Sequence, residues 1–167
     1  IGSGFSGIEC ADALARRGIA VTIVERQSHV LPAQADDAGA QMLMQHAQKY
    51  TVTPRCSEQV VRVVRFLDRV VGVELAGGDT VPCDMVVIAT GARPASDIAK
   101  SAGLVVQDDR IIIDQYCTTS NANIFAGGDV CVVRDTYTGE LVPSTLWPDA
   151  MQQGMHAAYA MVGQPKE

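Results

Sequence analysis

Aromatic residues and runs of basic residues are both scarce in this sequence of 167 residues. Phe, Trp and Tyr make up only 5% of it, which leaves no stacking platform for single-stranded nucleic acid. The net charge of −6 argues against nucleic acid or an anionic membrane as a partner, because both attract basic proteins. No apolar run approaches the ~20 residues that a transmembrane helix requires. The sequence therefore predicts neither a nucleic-acid nor a membrane partner.

The cysteines lack both the even number of a disulfide framework and the C-x-x-C spacing of zinc and redox sites. They are Cys10, Cys56, Cys83, Cys117 and Cys131. Because most of them lie in apolar surroundings, this usage favours a reducing cytoplasm. His29, His46 and His156 show no metal-ligand spacing, so we predict no metal site.

A glycine-rich turn stands at the start of the chain. Gly2, Gly4 and Gly7 have the spacing G-x-G-x-x-G, which opens a helix in dinucleotide-binding units. The first glycine permits a tight turn, the second lets a pyrophosphate approach the backbone, and the third lets the helix pack closely. The N–H groups at the helix N-terminus then face the phosphates. Alone, this pattern is weak evidence, because glycines before helices also serve helix packing.

An acidic residue follows the glycines at the offset that dinucleotide-binding units use. An apolar run over residues 20–24 predicts a buried parallel strand, and Glu25 ends it, 18 residues after Gly7. This combination favours nucleotide binding over a helix-packing device. Such units also have a central strand before the first glycine, whereas this sequence begins at Ile1. We therefore expect a fragment in which the second and fourth strands of the sheet lack a partner.

The rest of the chain alternates between helical and strand patterns, as α/β proteins do. The predicted elements are helices over 36–50, 97–102 and 149–162, and strands over 52–56, 60–66, 70–75, 80–81, 85–89, 104–105, 111–113 and 124–126. The unbroken apolar run at 85–89 predicts a buried central strand. The character of the sequence changes near residue 95, so we predict two parts, residues 1–95 and 96–167.

Two further glycine turns follow apolar runs. They are A-T-G-x-R-P at 89–94 and I-F-A-G-G-D-V at 124–130, and each alone is an ordinary strand and turn. Taken in order with the first turn, the three motifs resemble those of the two-dinucleotide-binding flavoprotein oxidoreductases. This is the pyridine nucleotide–disulfide reductase-like family, which includes NADH oxidases, nitrite reductase flavoprotein subunits and rubredoxin reductases. The resemblance spans nearly the whole chain.

The resemblance implies an α/β fold in which residues 1–95 form a Rossmann-like NAD(P)H-binding domain with a β-meander. Residues 96–167 would form the returning second segment of an FAD-binding domain. The first FAD segment and the dimerisation domain of most members are absent from the sequence. The implied reaction is hydride transfer from NADH to FAD, then electron release to an unidentified acceptor. No catalytic acid or base is implied in this chain, and a homo-oligomer is compatible with the family.

The resemblance also implies roles at the nicotinamide nucleotide. The residues that match the pyrophosphate loop of NADH are Gly2, Gly4 and Gly7. Glu25 matches the acceptor for the adenosine ribose hydroxyls, and its charge would repel a 2′-phosphate, so NADH is favoured over NADPH. Phe5 matches an aromatic residue that covers the flavin, although simple packing is an equal alternative. Glu9 matches a carboxylate near the nicotinamide, or else a surface residue, and Gly91 matches the glycine under bound NADH.

At the flavin, Asp129 matches the carboxylate bonded to the ribityl chain of FAD, with Gly128 beside it. Residues 147–154 resemble the helix whose N-terminus points at the flavin pyrimidine edge, where its dipole would stabilise the anionic reduced ring. Cys131 lies close to this predicted flavin site, but a small buried hydrophobic residue is its favoured role.

The same residues allow two alternatives to a flavin-dependent NADH oxidoreductase. A stand-alone NADH-binding or redox-sensing module would have no need of the segment around Gly128 and Asp129. A first turn that binds the adenosine of FAD would require another glycine loop between residues 91 and 127, and the sequence contains none. The flavin-dependent oxidoreductase therefore remains the favoured interpretation.

Overall fold

The computed structural model describes residues 1–165, apart from the side chain of Gln48, and divides into two compact units. The first unit is Ile1–Gly91, and the second begins at Ala92. Helices and strands occur in both units, which confirms the predicted α/β class. The assignment of residues 1–95 to NAD(P)H and of residues 96–167 to FAD stays a prediction.

The first unit packs helices and a parallel strand pair beside an antiparallel sheet. Its elements are α1 (Phe5–Ala15), β1 (Val21–Val24), α2 (Asp37–Ala47), β2 (Val52–Arg55), β3 (Val60–Phe66), β4 (Arg69–Leu75) and β5 (Thr80–Pro82). Strands β1 and β2 run parallel, with Val21 opposite Val52. Small residues of α1, including Ala11 and Ala15, bury Ile23 and Val52 against the helix. This packing places the end of β1 beside the start of α1.

The antiparallel sheet has the order β3-β4-β5 and confirms the predicted meander. Its buried side chains, among them Val73, Leu75 and Val81, form a second apolar cluster that also contains Val24 from the end of β1. The meander therefore packs against the point at which the first parallel strand ends.

The prediction of a buried central strand over residues 85–89 is wrong for this structure. This segment joins no strand ladder, and Met85 and Ile88 are 56% and 68% exposed. It is hydrogen-bonded to Ile1: the Ile1 nitrogen donates to the carbonyl of Val87 at 2.7 Å, and the Ala89 N–H donates to the carbonyl of Ile1 at 2.8 Å. An apolar strand is buried only where neighbouring strands and helices cover it.

Close backbone approach explains two glycines of the first turn. Gly2 has a φ of +91°, and a Cβ atom there would overlap the carbonyl oxygen of Ala89. A Cβ atom at Gly7 would overlap the carbonyl oxygen of Gly2. Gly4 differs, because a Cβ atom there would meet no atom within 4 Å. The turn is thus closed on the side of Gly2 and Gly7 and open at Gly4.

The second unit is built on a four-stranded sheet of order β6-β7-β8-β9. Its elements are α3 (Asp97–Ser101), β6 (Val106–Gln107), β7 (Arg110–Ile112), β8 (Cys131–Arg134), β9 (Leu141–Pro143) and α4 (Trp147–Met161). Strands β7 and β8 are parallel, with Ile111 opposite Cys131. The predicted strand at 124–126 is reduced to a single bridge between Thr118 and Phe125. Strands β8 and β9 were not predicted.

No helix within residues 1–165 combines the length and the apolar character that crossing a membrane requires. The cytoplasmic location stays a prediction.

We expect the Gly7→Ala variant to be less stable than wild type by about 1–3 kcal/mol, because its Cβ atom overlaps the backbone of Gly2. Gly4→Ala is the matched control. Its Cβ atom meets no other atom within 4 Å, and the φ of −66° suits alanine. We therefore expect this variant to lose less than about 1 kcal/mol of stability, the preference for glycine over alanine at a helix N-cap. Thermal unfolding of the full-length gene product compares the two, and equal losses would contradict the packing role of Gly7.

Candidate functional site

The glycine turn of the first unit leads into α1 and is hydrogen-bonded to the end of β1. The Gly2 N–H donates to the carbonyl of Val24 at 2.9 Å, and Gly4 is the N-cap of α1. Among the described residues no side chain caps α1, and the first turn of the helix has no acidic residue. Its first N–H groups are therefore available to an anion, which the helix dipole also favours.

The open side of the turn fits a phosphate group. Because Gly4 has no atom within 4 Å of its absent Cβ, a ligand can reach the backbone there. A ligand cannot approach Gly2 or Gly7 in this way, because backbone atoms of the protein already occupy the space beside them. In a pyrophosphate-binding turn the first and third glycines allow close backbone packing and the second leaves room for the ligand. Gly2, Gly7 and Gly4 differ in this same way.

Glu25 lies directly after β1, and only 7% of it is exposed. Its Oε2 atom accepts two hydrogen bonds from Ser3, from the backbone N–H at 3.0 Å and from the hydroxyl at 2.7 Å. Its Oε1 atom accepts a bond from the Gln27 N–H at 2.9 Å. The buried carboxylate is therefore held by three donors, two of which belong to the glycine turn itself.

These bonds decide the charge of Glu25. Burial alone would raise the pKa of the carboxyl group, because it removes water from the charged form. The hydrogen bonds from Gln27 and Ser3, together with the backbone N–H of Arg26, outweigh burial, so the pKa of Glu25 lies below its ordinary value. The side chain is consequently a carboxylate at neutral pH, with a fixed orientation beside the turn.

Three other predicted residues of this unit lie around the turn or on α1. Phe5 is the first residue of α1 and is 53% exposed. Glu9 is exposed on the same helix and lines a cavity of about 310 Å³ between α1 and α2. Gly91 is exposed, two residues after Ala89, which packs against Gly2. The assigned contacts of Phe5, Glu9 and Gly91 with a cofactor stay predictions.

The second candidate site is the turn before β8 in the other unit. Gly128 has a φ of +83°, which favours glycine. Asp129 is exposed, and within residues 1–165 its carboxylate has no hydrogen-bond partner; only its backbone carbonyl is used, as the acceptor for Arg110 Nε at 3.2 Å. A free carboxylate beside a tight glycine turn is an acceptor that fits the hydroxyl groups of a polyol.

Gln153 of α4 holds this turn in place and was missed by the sequence reasoning. Its Oε1 atom accepts a hydrogen bond from the Gly128 N–H at 2.6 Å, and its Cβ atom would be 3.1 Å from a Cβ at Gly127. Its backbone carbonyl also accepts a bond from the Cys117 thiol at 3.3 Å. The only signal was the loose match at residues 147–154, which does not distinguish Gln153 from its neighbour Gln152.

The thiol of Cys131 belongs to the core of the second unit. Cys131 is fully buried in the cluster that includes Ile111 and Ile113. Burial raises the pKa of this thiol to about 11, so it is protonated at neutral pH. Among the described residues the five cysteines are free, and no group of His, Cys, Asp and Glu side chains lies in a metal-binding arrangement.

The comparisons with known proteins identify one family. Residues 1–158 match the family described as pyridine nucleotide-disulphide oxidoreductase. The chain is 32% identical to the 3-phenylpropionate/cinnamic acid dioxygenase ferredoxin–NAD(+) reductase component of Photorhabdus laumondii, over 98% of this chain and 41% of that protein. It is also 32% identical to an NADH oxidase of Methanocaldococcus jannaschii, over 98% of this chain and 36% of the relative.

Solved structures show the same likeness. An FAD-dependent pyridine nucleotide-disulphide oxidoreductase from Desulfovibrio vulgaris superposes with a TM-score of 0.92 at 31% identity, over 99% of this chain and 42% of that one. A ferredoxin reductase from Rhodopseudomonas palustris gives a TM-score of 0.89 at 29% identity, over 99% and 41%. The chain thus spans about two fifths of the length of these four proteins.

We expect Glu25→Gln to lower the free energy of unfolding at pH 7 by about 1–3 kcal/mol, because the buried donors of Ser3 and Gln27 lose a charged acceptor. The pKa of Glu25 is lower in the folded state, so its stabilising effect is complete above the unfolded-state pKa of about 4.3. It is lost as the pH falls through the folded-state value. The difference between wild type and variant therefore narrows at acidic pH.

Urea unfolding of the full-length gene product between pH 3 and pH 8 measures this difference. Glu9→Gln is the matched control, because Glu9 is exposed on α1. A difference for Glu25→Gln that stays constant over the whole range would show that folding does not change the titration of Glu25.

Proposed function

This chain belongs to the pyridine nucleotide-disulphide oxidoreductase family, and we propose that its protein oxidises NADH with bound FAD and passes the electrons to a further acceptor. The observation that carries the proposal is the difference among the three glycines of the first turn. Gly2 and Gly7 are closed by backbone, whereas Gly4 leaves room for a ligand at an uncapped helix N-terminus. This arrangement supports a dinucleotide site better than a helix-packing device.

The first unit is proposed to bind NADH. Its pyrophosphate would lie at Gly4, where the first N–H groups of α1 are available. The carboxylate of Glu25 would accept a hydrogen bond from the adenosine ribose and repel the 2′-phosphate of NADPH. Phe5, Glu9 and Gly91 are proposed to lie near the flavin or the nicotinamide, as the family resemblance implies.

The second unit is proposed to bind the ribityl chain of FAD through Asp129, whose carboxylate has no partner in the part of the chain that the structure describes. Gly128 would give the ligand room, and Gln153 fixes the turn from α4. When bound, FAD supplies the chemistry, since its ring accepts a hydride from a nicotinamide. The side chains of this chain bind and orient the two cofactors, and none is assigned a proton transfer.

The names of the relatives suggest which acceptors to test. The proteins from Photorhabdus laumondii and Rhodopseudomonas palustris are named as ferredoxin reductases, and that from Methanocaldococcus jannaschii as an NADH oxidase. A ferredoxin-type protein and oxygen are therefore the first candidates. A stand-alone NADH sensor is the alternative, and the free carboxylate of Asp129 favours the flavoenzyme because a sensor has no use for it.

We expect the full-length gene product to be yellow, with the absorption bands of FAD, and NADH to bleach those bands under anaerobic conditions.

Gly4→Ala should weaken NADH binding by at least about tenfold, because its methyl group fills the space for the pyrophosphate. Its absorption spectrum should match that of wild type. Consumption of NADH with oxygen or a ferredoxin then identifies the acceptor, whereas a colourless protein that binds NADH would support the sensor.

Asp129→Ala should lower the FAD content of the purified full-length protein, since it removes the acceptor proposed for the ribityl hydroxyls. The thermal midpoint of the FAD-free protein should not change, because the carboxylate makes no hydrogen bond to any described residue. Asp97→Ala is the matched control: it is an exposed aspartate of the same unit. Equal FAD content in the two variants would contradict the assignment of Asp129.

A further inference from the structure

Ser3 donates two hydrogen bonds to the carboxylate of Glu25. Both its backbone N–H and its hydroxyl donate to the same oxygen, Oε2, at 3.0 and 2.7 Å. Ser3 is fully buried, so water does not compete for these donors. Rotation of the carboxylate would break both bonds at once and leave buried donors without an acceptor, which is costly. Ser3 therefore fixes the orientation of the carboxylate.

The same bonds limit what Glu25 can offer a ligand. An ionised carboxylate has about two acceptor sites on each oxygen. Both sites of Oε2 are taken by Ser3, and one site of Oε1 is taken by the N–H of Gln27. The backbone N–H of Arg26 also interacts with the carboxylate, so at most one acceptor site remains, on Oε1. Glu25 can thus accept at most one hydrogen bond from a ribose while both Ser3 bonds are kept.

Ser3 also connects this carboxylate to the phosphate-binding part of the turn. It lies between Gly2 and Gly4 in the chain, and its carbonyl accepts a bond from the Leu31 N–H at 3.0 Å. The residue that orients the carboxylate is therefore part of the turn that would hold the pyrophosphate. A ligand that contacts both places therefore meets groups that are hydrogen-bonded to each other.

We propose that Ser3 is a positioning residue for nucleotide selectivity. It holds the Glu25 carboxylate so that one oxygen accepts a ribose hydroxyl and the negative charge cannot turn away from a 2′-phosphate. The inference rests on the proposed function, in which this turn binds NADH. A purely structural Ser3 would instead affect the affinity for NADH and NADPH equally, because both share the pyrophosphate.

The test is anaerobic calorimetric titration of the full-length protein with NADH and with NADPH, after its bound FAD has been reduced with dithionite so that no hydride is transferred during the titration. We expect Ser3→Ala to lower the selectivity ratio, which is the Kd for NADPH divided by the Kd for NADH, by about tenfold. This is the effect of losing one hydrogen bond to a charged group. Ser6→Ala is the matched control, because the Ser6 side chain is exposed in the first turn of α1 and the variant keeps its backbone, so its ratio should stay at the wild-type value.

An unchanged ratio in Ser3→Ala, or equal loss of affinity for both nucleotides, would overturn the inference. A wild type that binds NADH and NADPH with equal affinity would also overturn it. If Ser3→Ala does not fold, Ser3→Gly replaces it, since glycine tolerates any backbone conformation and keeps the amide bond to Oε2. A wild type that binds neither nucleotide would refute the proposed function itself, whereas selective binding with an unchanged Ser3→Ala ratio refutes only the role of Ser3.

Discussion

The hydrogen bonds around the Glu25 carboxylate connect the main parts of the first unit. A buried charge is tolerated only where donors replace the water that it loses. Here the donors come from the glycine turn through Ser3 and from the segment after β1 through Gln27. The backbone of Glu25 also bonds β2, because its N–H donates to the carbonyl of Arg55 at 2.9 Å. One residue thereby joins the parallel strand pair to the start of α1, and the geometry of the candidate nucleotide site follows from that junction.

The glycines complete this junction by removing side chains where backbones meet. Gly7 lets α1 lie directly on the carbonyl of Gly2, and Gly2 in turn lies against Ala89. Side chains at either position would push the helix away from the turn. The space at Gly4 is a consequence of the same arrangement, because the turn is closed on one side only. Packing and ligand access are therefore two results of a single backbone path.

The sequence predicted the parts of this fold that depend on local pattern. The spacing of Gly2, Gly4 and Gly7, the apolar run before Glu25 and the meander all follow from short-range periodicity and turn chemistry, and the family resemblance built on them is confirmed. The run at 85–89 was misjudged because apolar character reports what a strand needs, not which neighbours cover it. Strands β8 and β9 were missed because a polar stretch separates them and hides their pairing.

The candidate site shows a deeper limit of sequence reasoning. Glu25 was identified from its offset alone, as an acceptor for a ligand, but most of its hydrogen-bonding capacity serves the protein. Neither Ser3 nor Gln153 was assigned a role from a motif. Each is important because of a side-chain hydrogen bond, from Ser3 to Glu25 Oε2 and to Gln153 from the N–H of Gly128. A motif records the residues that a ligand would contact. The side chains that hold those residues in position become visible only when hydrogen-bond donors and acceptors are matched in three dimensions, since many sequences can supply such a bond.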